Sequence, residues 1–364
     1  MDAMDFMIEP LFADVGDAAE GTSSSQGPVP RVVLEGVPVS DVNEHDKVRY
    51  NLNNQWQYMV DPAEPTRLIL REGGPHRPDD YREALERCST SRWVDRFRGF
   101  YRVVNVPRHH TAWMREASQL AVQKSGFSPL FQNDLDAAVA DTACGDTFHS
   151  CDADVPGTCY FVRTERVSLK DGIHGVGPYA TMRSIIESAV TARGGHQGVD
   201  EDTQQLKLYL FPWRTDLDAF REFRVFVANG RATAFSQQKL YVANPILAPL
   251  SERDRTRVVQ NWLGRLLPYI THTIVPLLED LMSSFVLDIV LLGPPAAYKD
   301  DADSVNVDLM RPDLLEPYFI EVNTFGFAYA SGSSLFSWVE DYALLYGLDA
   351  GMADGAVAVR YTTP

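Results

Sequence analysis

The chain has 364 residues, of which 45% are hydrophobic and 23% charged. That composition excludes wholesale disorder, collagen-like repeats and coiled coil, and the length fits two domains or one large α/β unit with an extension. The formal net charge of −17 argues against a polyanion footprint or an anionic membrane as partner. From Tyr160 to Leu250, however, 11 Lys/Arg stand against 9 Asp/Glu, a local +2 that leaves −19 on the rest. An acidic chain with a basic middle suits a small anionic ligand.

The N-terminus, MDAMDFMIEPLFADVGDAAE, has acids where an export signal needs a basic head. The longest apolar stretch, Phe285 to Ala297, is interrupted by Asp288 and by Pro294-Pro295 and is too short to span a bilayer. Cys88, Cys144, Cys151 and Cys159 include no CxxC and give no disulfide framework. A soluble, cytoplasmic protein with no membrane partner is expected.

Residues 1–30 are acidic and small, ending in GTSSSQGPVP, and are expected to be disordered because they cannot bury enough apolar surface to offset their ordering entropy. Residues 31–87 form an N-terminal extension of undetermined fold, in which RVVLEGVPVS and RLILRE read as short strands. SRWVDRFRGFYRVVNV then reads as strand-like and HHTAWMREASQLAVQ as helical, with His109-His110 as a helix start. CYFVRT predicts a strand, ATMRSIIESAVTAR an amphipathic helix, and LKLYLFPW a buried strand. A loop is expected over Gly194 to Gln204. REFRVFVANGRATAFSQQKLY reads as a hairpin, since Asn229-Gly230 separates two β-rich runs. RTRVVQNWLGRLLPYITHTIVPLLEDLM predicts a long helix or a pair, with Pro268 and Pro276 as kinks or breaks. SFVLDIVLL and PYFIEVNTF are two further strands, with Gly293 to Glu316 as an acidic insertion between them. The fold class is α+β.

Each of those last two strands is apolar yet carries an acid, and a buried carboxylate needs a cation. Glu321 and Asn323, two apart, point to one face of a strand. With Asp288 on a neighbouring strand they offer hard oxygen ligands of the kind Mg²⁺ prefers when it also holds phosphates. The positive side comes from Arg163, Arg166, Lys170 and Arg224, at strand ends or in the loop after a strand, where cations can hold phosphate oxygens. Gly172, Gly175 and Gly177 in DGIHGVGP read as a phosphate-covering loop or a flexible turn. Cys144, His149, Cys151 and Cys159 lie within 16 residues, but their spacing fits no standard zinc finger. There is no GxSxG, and no Cys sits in a nucleophile context.

EFRVFVANGR with SQQKLY, the strand carrying Asp288, IEVNTFGFA and SLFSWVED together resemble the ATP-grasp superfamily. More narrowly, the chain is similar to the cell division cycle protein 123 family. Ser91-Arg92-Trp93 matches its SRW-like opening, Arg163 and Asp171 keep its eight-residue spacing, and Glu222-Phe223-Arg224 its EFR hairpin. Glu321-x-Asn323 and Leu335-Phe336-Ser337-Trp338 match its closing pieces. The likeness spans residues 88–346 with a nucleotide-binding core at 158–340, leaving 347–364 as a C-terminal tail.

The resemblance implies an ATP-grasp fold, two α+β lobes with ATP between them. It implies phosphate contacts from Arg163, Lys170 and Arg224, with Arg224 and Lys170 as the catalytic cations. Adenine would lie against the LYLFPWR strand on Leu210, Phe211 and Trp213, and Mg²⁺ on Asp288, Glu321 and Asn323. The function implied is that of an assembly factor binding the γ subunit of eukaryotic translation initiation factor 2, with ATP stabilising a binding-competent conformation. The Glu-Val-Asn-Thr ending resembles ATP-grasp ligases instead, which implies carboxylate–amine ligation through an acyl phosphate, or RNA end joining.

Overall fold

The computed structural model describes residues 31–124, 126–142, 159–192, 205–295, 306–352 and 355–364. In chain order its elements begin β1 (Val32–Pro38), α1 (Val39–His45), β2 (Tyr58–Val60) and β3 (Leu68–Leu70). Then come α2 (Tyr81–Arg87), α3 (Thr90–Phe97), β4 (Arg102–Pro107), α4 (Arg108–Lys124) and α5 (Gln132–Asp141). The middle holds β5 (Tyr160–Arg163), α6 (Met182–Thr191), β6 (Gln205–Pro212), β7 (Glu222–Ala228) and β8 (Arg231–Gln237). The chain closes with α7 (Glu252–Tyr269), α8 (Val275–Leu278), β9 (Phe285–Leu292), α9 (Val307–Met310), β10 (Glu316–Asn323), α10 (Tyr342–Leu345) and β11 (Val357–Thr363).

These elements make a mixed α+β architecture around two sheets. The larger has strand order β1-β11-β8-β7-β9-β10, parallel at β1–β11 and β11–β8 and antiparallel elsewhere. Its two outermost contributors in sequence, β1 and β11, lie outside residues 88–346 and pair with each other along seven positions. One face packs on α7 through Val225, Leu287, Ile289, Trp262 and Leu266. The opposite face is covered by the segment after β10, where Phe336 and Trp338 meet Phe226, Ala234, Val286 and Ala358. β9 is buried along all eight residues, which is why FVLDIVLL reads as a continuous apolar run and not as an alternation.

The smaller sheet, β4-β6-β5, is antiparallel. Val162, Leu208 and Leu210 turn one face toward Met114, Ile185 and Ile186 of its helices. The other face, with Tyr209 and Phe211, joins the core of the large sheet, and Trp93 of α3 fills the space between them.

The hairpin is as read: Asn229 and Gly230 have φ of 49° and 74°, the pair of positive values a two-residue turn between twisted strands requires. Thr90–Phe97, expected as part of a strand, is instead helix α3. Its buried Trp93 and Val94, with Phe97 packed against the same core, follow the 3.6-residue period and not the two-residue one. Pro268 lies in the last turn of α7 and Pro276 in the first turn of α8, joined by a π-helical turn at Ile270–Ile274. The missing proline N–H groups are accommodated by a wider turn and not by a break. The loop expected at Gly194 to Gln204 lies outside the described residues. Among the described residues no helix is long and apolar enough to cross a membrane.

Candidate functional site

Each strand of the large sheet contributes one residue to a single row on the face away from α7. Register aligns Glu35 with Arg360, Arg360 with Ser236, Ser236 with Arg224, Arg224 with Asp288, and Asp288 with Glu321. A charged row on a covered face must be paired internally. Arg224 donates Nε and Nη2 to the two carboxylate oxygens of Asp288 at 2.9 and 2.8 Å, and Nη1 to the Ser333 carbonyl at 2.8 Å. Arg360 grips Asp341 at 2.6 and 3.0 Å and Glu35 at 2.6 Å. Ser236 Oγ accepts the Leu335 N–H at 2.8 Å.

At the β10 end the row reaches the smaller sheet. Arg163 of β5, only 2% exposed, donates to Glu321, so one ion pair bridges the sheets. The Arg163 guanidinium lies 5.1 Å from the Trp93 ring centre, a cation–π contact that fixes its approach. Asn323 donates its amide to Glu321 Oε1 at 3.3 Å, which leaves its carbonyl oxygen free of that bond. Buried groups here without a partner include Arg163 Nε and Gln238 Oε1. A buried donor or acceptor without a protein partner calls for one of another kind, such as water or a ligand group.

The electrostatics set the carboxylates apart. Burial by itself would raise Glu321, but Arg163, Lys170 and Arg224 outweigh it, and the group is held down to about 2. Burial pushes Asp288 above the usual carboxylate range, with the Arg224 contact working against it. Glu222, on the same face of β7 two residues before Arg224, is pushed up to about 7 by burial and by the nearby charge of Asp288, with Lys170 opposing. The cluster therefore holds three carboxylates against three cations.

Five sequence-expected residues, Arg163, Arg224, Asp288, Glu321 and Asn323, thus belong to one cluster where the sheets meet, and the exposed Lys170 is near enough for its charge to act on Glu321 and Glu222. Three others serve the smaller sheet. Leu210 registers with both Arg102 and Val162, and its side chain lies in the helical core. Phe211 pairs with Phe161 and stacks toward Trp93, while the Trp213 N–H donates to the Cys159 carbonyl at 2.9 Å. The sheet thus already engages the Leu210 main chain on both sides and takes up the Trp213 N–H. In the glycine-rich loop, Gly172 packs where a Cβ would meet Ser188 of α6, and His174 bonds Glu187 at 2.6 Å, so the loop is tied down on α6.

Sequence reasoning missed Glu222 and Gln238. The available signal for Glu222 was its two-residue offset from Arg224, which puts both on one face of β7. It also missed the buried pair of Arg221 and Asp308, joined at 2.8 and 2.7 Å, which ties the end of the acidic insertion to β7. His109 and His110 do start a helix, and both reach Asp141 Oδ2, at 3.0 and 2.8 Å. The Trp113 indole N–H donates to His110 Nδ1 at 3.2 Å, which leaves the His110 Nε2 proton for Asp141. That joins the trio as a hydrogen-bond network, with its ligand atoms within 4.8 Å of one another. Of the segment weighed for zinc, Cys144, His149 and Cys151 lie outside the described residues.

The fold and cluster define a mixed α+β protein with buried carboxylates and guanidinium groups where two sheets meet. No family model matches the chain, and no curated protein does. Among solved structures it is similar to C-terminally truncated Cdc123 from Schizosaccharomyces pombe, with a TM-score of 0.48 and 15% identity over 78% of this chain and 97% of that one. It is also similar to Cdc123 from the same organism, with a TM-score of 0.45, 15% identity and the same coverage.

Proposed function

We propose that the chain binds Mg²⁺ and ATP between its two sheets and acts as an assembly factor of the cell division cycle protein 123 type, with the γ subunit of translation initiation factor 2 as partner. The observation that carries the nucleotide reading is the cluster itself. Glu321, Asn323 and Asp288 form a hard-oxygen donor set on adjacent strands, and Arg163, Lys170 and Arg224 supply cations beside it. The donor set fits Mg²⁺, and the unpartnered Arg163 Nε fits a phosphate oxygen. Bound there, the metal would neutralise phosphate charge. The chain's own part is to orient the phosphates with Arg163 and Lys170 and to keep Arg224 aligned on Asp288. The assembly role rests on the order of the sequence motifs from Ser91-Arg92-Trp93 to Leu335-Phe336-Ser337-Trp338.

A second reading, an ATP-dependent ligase, is favoured by the Glu-Val-Asn-Thr ending of β10. Cations around a transferring phosphoryl group are what such chemistry needs.

The test is calorimetric titration of Mg-ATP into the wild-type chain and Glu321→Ala, followed by tracing ATP labelled at the α and γ phosphates. Glu321→Ala is expected to lose binding; unchanged affinity would sink the site. Binding without turnover, together with a complex with the γ subunit, supports the assembly factor. ADP and phosphate formed only with a carboxylate acceptor, or AMP formed with RNA, supports the ligase.

A further inference from the structure

Arg224 depends on a loop that is not its neighbour in sequence. Of its five N–H groups, two go to Asp288 and one to the carbonyl of Ser333. Gly332, at φ +85°, lies so close that a Cβ there would overlap the guanidinium. The loop at residues 327–334 is therefore the roof over the Arg224–Asp288 pair.

That roof is held from outside the region of sequence resemblance, by residues 50–56. The amides of Asn54 and Gln55 donate to the carbonyls of Tyr329 and Phe327 at 3.4 and 2.8 Å. The Trp56 indole donates to the Ala328 carbonyl at 2.9 Å. Asn53 Oδ1 accepts the Gly332 N–H at 2.9 Å, and Asn51 Oδ1 accepts the Ser333 hydroxyl at 2.8 Å. Finally, the Ser334 N–H donates to the Tyr50 carbonyl at 2.9 Å. The two asparagine bonds matter most for Arg224, because Gly332 and Ser333 are the residues that touch it. Tyr50 is anchored separately, in an apolar cluster with Val37, Val42, Leu240 and Leu335, so the asparagines can be altered without removing the segment's own anchor.

We propose that Asn51 and Asn53 are positioning residues of the nucleotide site: they hold Gly332 and Ser333 against Arg224, which keeps the Arg224 fork on Asp288 and leaves Glu321 and Asn323 to face the metal and phosphates. This rests on the Mg-ATP reading above. The segment thus acts as a clasp that completes a site otherwise built from β7, β9 and β10. Toward this loop both asparagines act as acceptors, but the Asn51 amide also hydrogen-bonds the Asp46 carboxylate, so aspartate is the conservative control at Asn53 alone, where it keeps the acceptor that alanine removes.

The experiment compares the wild-type chain with Asn51→Ala/Asn53→Ala, Asn53→Ala and Asn53→Asp. It measures Mg-ATP affinity by calorimetry and hydrogen exchange of the peptide covering residues 327–334. The alanine pair is expected to exchange faster in that peptide and to bind Mg-ATP roughly 10-fold or more weakly, since small misplacements of a binding group cost that much. Asn53→Asp is expected to stay within about threefold of wild type, well under the tenfold that 1.4 kcal/mol represents. Should the alanine pair fail to fold, Asn53→Ala alone serves with the same expectation. Faster exchange with unchanged affinity would overturn the proposal, as would equal weakening in Asn53→Ala and Asn53→Asp. A wild-type chain that binds no Mg-ATP would remove the nucleotide reading and this inference with it, an outcome distinct from the other two.

Discussion

Glu321 and Glu222 lie in the same cluster but stand on opposite sides of the ordinary carboxylate range, and the cause is which cations reach them. Glu321 meets Arg163 directly and is held down to about 2, so its contribution to stability is present above pH 4.5 and is lost as pH falls toward 2. Glu222 is raised to about 7 by burial beside Asp288. Between pH 4.5 and 7 it binds more protons folded than unfolded, so its effect is to lower stability as pH rises through that window. Glu222→Gln should therefore stabilise the chain at pH 8, by about 2 kcal/mol, and much less at pH 5. Urea midpoints at the two pH values check this; equal shifts at both would refute the assignment.

Among the elements, the stretch between β9 and β10 illustrates how a segment that reads as a loop can be anchored by one side chain. Asp308 of α9 is fully buried, bonded bidentately to Arg221 and accepting the Trp262 indole N–H at 2.8 Å. Its sequence surroundings, rich in Asp and Pro, give no sign of burial. Asp308→Ala leaves the Arg221 guanidinium buried with only the Pro294 carbonyl, at 2.7 Å. The expected cost is roughly 3–5 kcal/mol, the usual result of removing one partner of a buried pair, measurable by chemical denaturation. A cost below about 1 kcal/mol, the level of an exposed pair, would mean that the pair is not a structural anchor. Helix α3 shows the converse. Its apolar positions carried the helical period openly, but the aromatic and β-branched content of SRWVDRFRGFYRVVNV favoured a strand, and the packing of Trp93 between two sheets decided it.

Over the whole molecule, the chain's two ends of described structure meet in one sheet. β11 lies second from the edge, parallel to both β1 and β8, and brings Val357, Val359 and Tyr361 into the main core. Arg360 on its other face closes the polar row through Asp341 and Glu35. Deleting residues 356–364 should expose β8 and the face under α7, and the expected product is insoluble or aggregated protein, read by soluble yield and size-exclusion chromatography. A folded monomer with an intact melting transition would show β11 to be dispensable. Residues 357–363 are thus taken up by the sheet, paired on both sides.

Most of the strands could be identified from short runs, because alternation, β-branched content and the Asn229-Gly230 turn are local signals. The candidate ligands were legible for the same reason, since an acid inside an apolar strand is conspicuous within a few residues of chain. Which groups meet was not. Arg224 finds Asp288 64 residues away, Arg163 finds Glu321 158 away, and Arg360 finds Glu35 325 away. Pairing of this kind is set by strand order and register, and these follow from burying two faces of a six-stranded sheet at once, a condition no local window of sequence contains.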